Sequence, residues 1–420
     1  MATPKLADTA GSEKSKVQHG SAIPHGGDTV SYTHFEHPFI PYFAHDIGEE
    51  EIEAVVECLK SGWLTTGPYT RKLENEVASR VNARYALGVN SCTAALHLAL
   101  NVVGVSEGDE VITTPMTFCS TVAVIEHQRA KPVFVDVEPD TLNISPKAIE
   151  SAITERTKAI LPVHYGGHPC DMDEIMAIAR KAGVYVVEDA AHAIGAEYRG
   201  RPIGSIGDIT CFSFYATKNI TTGEGGMLVT NNEEWANLAR VLSLHGMSRD
   251  AWKRYTENGS WYYEVQHLGF KYNMPDVLAA IGVVQIKRLD EFNEKRRTLA
   301  ELYDRAFAEV EEVDVLGVRP YVKHARHLYT ILLRLDKLSI SRSEFIEELR
   351  RFNVGTSVHF IPVHMHPYYH EKPEFRNTTL PVAESAYWRM ISLPLYPLLT
   401  ENDINYVVWA VKKIISSHRK

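Results

Sequence analysis

Three short stretches of the chain hold residues whose types and spacing could do chemistry. The first is VYVVEDAAHAIGA, which puts Glu188 and Asp189 at the C-terminal end of an apolar run that reads as a strand. In open α/β sheets that edge is where ligands bind. A carboxylate there can coordinate magnesium, bind a ribose or hold a protonated ring nitrogen. It can equally cap the helix that follows. The second stretch, CFSFYATKNITTGEGG, sets Lys218 after an apolar run and before a glycine-rich turn. Most lysines are exposed and inert, but one held beside a cleft can lose its proton and attack carbonyls. Ser213 adds a hydroxyl that can serve a phosphate. The third, NSCTAALHLAL, places Ser91, Cys92 and Thr93 at a helix start after a strand. N–H groups there attract phosphate, and Ser91 alone would also be an ordinary N-cap.

Taken together, these pieces fit one kind of cofactor, a phosphorylated pyridine aldehyde. The helix start near Ser91 and Ser213 seat the phosphate, the strand-end carboxylate holds the ring nitrogen, and Lys218 bonds the aldehyde. Phe118, just after PMT, could stack on the ring. A protonated ring nitrogen is what makes such a cofactor an electron sink. The chain has no Walker A pattern and no GxGxxG after its first strand, which weighs against ATPases and nicotinamide enzymes. His164, His192, His359, His364, His366 and His370 form no compact ligand motif such as HExxH, so no metal is expected.

These residues need elements to position them. Apolar runs of four to six residues alternate with helices of about three turns from Tyr85 to Asp189, the pattern of a mostly parallel sheet covered on both faces. Before it, the run EEEIEAVVECLKSG sets Ile52, Val55, Val56 and Leu59 on one helical face with Gly62 as the stop. After about Pro275 a long helix is predicted, then the strand LYTILLRL, a helix from near Ser341, a strand near Thr356 to Phe360 and a terminal helix after Thr400. The expected partition is a tail over residues 1–38, a large domain over 39–285 and a smaller α/β domain over 286–420.

Composition agrees with a globular protein. Of the 420 residues 45% are hydrophobic, enough for a large core, and the net charge of -9 argues against a non-specific nucleic-acid binder. Five scattered cysteines without a Cys-x-x-Cys pair fit a reducing compartment. No run is long and apolar enough for a membrane span, and the N-terminus lacks the apolar core of a signal peptide. The expected location is the cytoplasm.

From about Pro41 onwards the sequence resembles the DegT/DnrJ/EryC1/StrS aminotransferases, the nucleotide-sugar branch of fold-type I pyridoxal-phosphate enzymes. The motifs that carry the resemblance are SGWLTTGP (61–68), EVITTPMTF (110–118), PVHYGG (162–167), EDAAHAIGA (188–196), SFYATKNITTGEGG (213–226) and GFKYNMPD (269–276). The resemblance implies that Lys218 forms the Schiff base and shuttles the proton, Asp189 pairs with the pyridine nitrogen and His192 lies near the ring hydroxyl. It implies a phosphate site of Cys92, Thr93 and Ser213, and Phe118 stacked on the ring. Members work as homodimers, and Lys271 or Asn273 of one subunit would reach the partner's cofactor phosphate. Thr65, Thr66, His164, His359 and His364 would line the groove for a nucleotide-diphosphate keto-sugar, with L-glutamate as donor and the cofactor cycling between pyridoxal (PLP) and pyridoxamine (PMP) forms. His192, where C3-aminating members often have Gln, resembles the C4-aminating group. C3 amination, sugar dehydration on the same cofactor and a regulatory role are the rival expectations.

Overall fold

The computed structural model describes residues 37–247, 262–376 and 378–420. Five of its strands come first: β1 (Tyr85–Val89), β2 (Glu110–Thr113), β3 (Lys131–Phe134), β4 (Thr157–Leu161) and β5 (Tyr185–Asp189). The short β6 (Glu197–Tyr198) and β7 (Arg201–Pro202) precede β8 (Ile209–Ser213) and β9 (Gly226–Thr230). A seven-stranded sheet runs in the order β1-β9-β8-β5-β4-β2-β3. Every pair from β8 to β3 is parallel, and β9 alone runs against its neighbours. The parallel strands are near-continuous apolar runs because helices cover both faces. β8 and β9 form a hairpin in which Ser213 pairs with Gly226, so residues 214–225 make one loop at the sheet edge.

Beyond these lie β10 (Val313–Val315), β11 (Val322–Lys323), β12 (Tyr329–Leu333) and β13 (Met390–Leu393). β10, β12 and β13 form an antiparallel sheet, and β11 joins β6 and β7. Helices Arg342–Arg351 and Glu401–His418 begin at Ser341 and Thr400, each closing a capping box. No strand forms at 356–360; that stretch contributes the single bridge Ser357–Ser392.

The helix Asp276–Phe307 belongs to two cores. Val283, Ile286, Leu289 and Phe292 pack under the large sheet, while Leu299, Ala300, Tyr303 and Phe307 pack with β12, β13 and the terminal helix. The boundary expected after residue 285 thus falls inside a helix, and residues 35–420 cluster as one compact unit. Ile40, placed by sequence in the first domain, packs in the second core beside Val354.

The helix Glu49–Ser61 forms where expected and stops at Gly62. Its apolar residues Ile52, Val56 and Leu59 are exposed, while Glu51 is buried and bonds Gln285 and Arg288. The apolar stripe is an outer surface of the single chain. A neighbouring contact fixes the following helix, Pro68–Arg80. The buried Asp276 carboxylate accepts from the N–H groups of Gly67, Tyr69 and Thr70 and from the Thr70 hydroxyl, capping that helix from afar. Asp276→Ala orphans buried donors and is expected to destabilise the fold by about 3 kcal/mol; a urea midpoint unchanged from the parent would contradict this.

Candidate active site

β5 and β8 are parallel neighbours, so their carboxyl ends share one edge, with Asp189 opposite Cys211. Adjacent residues on a strand face opposite sides. Glu188 and Asp189 therefore part company. Glu188 takes its bonds from His164, Gly207 and Thr210. Asp189 accepts from the Thr121 hydroxyl at 2.8 Å and from the Ala191 N–H at 3.1 Å.

Lys218 is half-buried on the β8–β9 loop, in a turn closed by its N–H on the Tyr215 carbonyl. The helix Cys92–Val102 starts beside it. Cys92 Sγ lies 3.6 Å from the Cys211 carbonyl, and a side chain at Gly226 would come within 2.6 Å of Cys92 N. Glycine there lets the hairpin meet the helix N-terminus directly. Ser213 is buried at the end of β8, and Thr93 is exposed in the first helical turn.

Burial pushes the Lys218 amine down to about 8, while the charge of Asp189 pulls the other way. Burial raises the Asp189 carboxyl. A cation placed against Asp189 would offset its desolvation. The donor set fits pyridoxal phosphate: a buried amine for the aldehyde, a buried carboxylate for the ring nitrogen, and helix N–H groups for the phosphate. Phe118, 61% exposed at the start of the helix Cys119–His127, offers an aromatic face 6.4 Å from Phe360.

His192 is buried, and burial together with Lys218 holds its imidazole neutral. The Gly166 N–H donates to its Nδ1, so its proton sits on Nε2. His359 is likewise neutral, pushed down to about 4 by burial and Lys218. Its Nδ1 lies 2.9 Å from Ser392 Oγ, and its ring stacks on Tyr42.

Two of the expected sugar-side histidines are held by protein contacts. His164 is fully buried with both ring nitrogens engaged, Nε2 on Glu188 at 2.9 Å and Nδ1 accepting from the Cys170 N–H at 3.0 Å. It ties the underside of β5 and has no nitrogen left for a sugar. His364 is buried against Phe134 with Nε2 on Glu384. Thr66 ties two motifs together, donating to the Met274 carbonyl and accepting from Asn273 Nδ2 at 2.8 Å. Thr65 is exposed, and Lys271 Nζ donates to Asn273 Oδ1 at 2.6 Å. Arg249, Lys253 and Arg254, whose run HGMSRDAWKRY suits a diphosphate contact and a solvated surface equally well, fall outside the described residues. Thr121, Asn219 and His327 are neighbours of the site that sequence reasoning missed. Thr121 follows Phe118 by one helical turn, which was the available signal.

The DegT/DnrJ/EryC1/StrS aminotransferase family model matches residues 45–412. An uncharacterised protein of Methanocaldococcus jannaschii, MJ1066, is 54% identical over 381 residues, covering 91% of this chain and 99% of that protein. The spore coat polysaccharide biosynthesis protein SpsC of Bacillus subtilis is 51% identical over 378 residues, covering 90% and 97%. Among solved structures, the PMP-form of Spr1654 from Streptococcus pneumoniae, titled a putative sugar aminotransferase, superposes with a TM-score of 0.84 at 34% identity, covering 90% of this chain and 99% of that one. The chain belongs to the DegT/DnrJ/EryC1/StrS aminotransferase family, whose chemistry runs on pyridoxal phosphate.

Proposed function

We propose that the protein moves an amino group from L-glutamate to the C4 carbonyl of a nucleotide-linked keto-sugar. The observation that carries the reading is the meeting of the buried Lys218 amine and Asp189 carboxylate at one sheet edge. Bound pyridoxal phosphate supplies an electron sink for carbon–nitrogen bond exchange. Lys218 holds the cofactor and then, as a neutral amine, takes and returns the migrating proton. Asp189 keeps the ring nitrogen protonated. Cys92, Thr93 and Ser213 are our phosphate site, with Phe118 as the stacking ring.

His192 supports the choice of C4 through the resemblance, since C3-aminating members often have Gln at this place. Thr65, Thr66, His359 and His364 are the proposed sugar-side contacts, while both nitrogens of His164 are engaged within the protein. A homodimer is supported by the uncovered apolar face of Ile52, Val56 and Leu59, with Lys271 and Asn273 serving the partner's phosphate. The test is a panel of 4-keto and 3-keto nucleotide sugars with L-glutamate, reading 2-oxoglutarate and the product by NMR. A 4-amino product is expected. A 3-amino product would move the reaction to C3, and an eliminated product without 2-oxoglutarate would replace transfer by dehydration.

A further inference from the structure

A directional hydrogen-bond chain starts one residue from Lys218. Asn293 Nδ2 donates to the Ile194 carbonyl at 3.0 Å. Asn219 Nδ2 donates to Asn293 Oδ1 at 2.7 Å and to the Ala325 carbonyl at 2.8 Å. Main-chain carbonyls can only accept, so both amides have one orientation. Asn219 Oδ1 is then the atom that faces His327 Nδ1 at 3.0 Å, and it must accept. His327 therefore carries its proton on Nδ1 and keeps a lone pair on Nε2. Space for the chain is enforced at Gly195, where a Cβ would lie 2.5 Å from Asn293 Nδ2.

His327 meets His192 through a shared peptide and a ring contact. The Gly166 carbonyl accepts the His327 N–H at 2.9 Å, while the Gly166 N–H donates to His192 Nδ1 at 3.3 Å. The imidazole centroids are 4.3 Å apart at 34°, and His192 also stacks on Phe360 at 5.8 Å and 15°. Both histidines are buried. Lys218 and His359 act on both rings, and Arg296 acts on His327 as well. Every one of these neighbours is a base or cation that opposes a proton on either ring.

We infer that His327 is a positioning residue for His192: locked by Asn219, its ring packs His192 away from water in the one plane in which Nδ1 accepts from Gly166 and the Nε2–H is left as a hydrogen-bond donor. This deepens the reading above and rests on His192 serving the reaction. His327 contributes packing and orientation, with no contact to the reacting atoms required.

The test uses full-length protein carrying ¹⁵N-labelled histidine, with His192 assigned by loss of its signal in His192→Gln. In the parent, without cofactor, His192 is expected to stay neutral and Nε2-protonated well below the ordinary histidine value of about 6.5. In His327→Ala it is expected to titrate, with a midpoint moving up toward about 6.5. His327→Phe keeps a ring and should restore the neutral signal. In the loaded enzyme the acid limb of kcat should move up in pH for His327→Ala and return for His327→Phe. An unchanged His192 signal and acid limb in His327→Ala would overturn the inference; if that variant does not fold, titration of His192 in His327→Phe as in an open site would do so. Loading of pyridoxal phosphate on Lys218, measured in parallel, separates the two claims: its failure in the parent rejects the function, while the cofactor-free NMR arm still reads the role of His327.

Discussion

Lys218→Ala is expected to lower kcat for amino transfer by about 10⁴-fold or more, because it removes both the cofactor's covalent partner and the base that moves the proton. Lys218 stands on the β8–β9 loop, outside the apolar clusters of the core, so the variant should keep the parent's thermal transition. A residual rate near that of the parent would reject the assignment. The same lysine has a pH signature. The neutral amine is the nucleophile, and its burial places half-protonation at about 8 rather than the ordinary value. Acylation of Lys218 in the cofactor-free protein should therefore rise with pH through about 8 and level above it. Since the Asp189 charge holds the amine's proton on, Asp189→Asn should move that midpoint lower; a midpoint moved higher would contradict the pairing.

Asp189→Asn carries the second large effect. The fold should tolerate it, since the Thr121 hydroxyl, itself 2.7 Å from Thr117 Oγ1, can turn to accept from the new amide. What is lost is the negative charge that keeps the ring nitrogen protonated in a buried setting. We expect kcat to fall by about 10²–10³-fold, the scale seen when one preorganised electrostatic partner is removed. Measured affinity for pyridoxal phosphate should fall as well. Full activity in Asp189→Asn would mean that another group faces the nitrogen.

Sequence reasoning located the elements because their signals are local. Ser341 and Thr400 cap the helices predicted to follow them, and Gly62 ends the first helix in the left-handed region. The positions of Asp189 and Ser213 at strand ends, and of Lys218 on the loop after β8, were legible because the apolar runs before them mark the strands. His164 was misplaced although strand alternation held the answer: Glu188 and Asp189 must point to opposite faces, and a buried Glu188 needs a partner on the underside. The apolar stripe of Ile52, Val56 and Leu59 predicted a helix correctly but not which face is covered, because periodicity carries no information about what lies opposite. Asn219 and His327 had no local signature at all. Their roles come from tertiary contacts with Asn293, Ala325 and Gly166, which only the fold brings together.

The most direct test of the central claim is to load the protein with pyridoxal phosphate, reduce with borohydride and map the digest by mass spectrometry. One phosphopyridoxyl group is expected, on the peptide that contains Lys218, and it should be absent when L-glutamate is added before reduction. Modification spread over surface lysines, or a modified Lys218 that glutamate leaves unchanged, would contradict it.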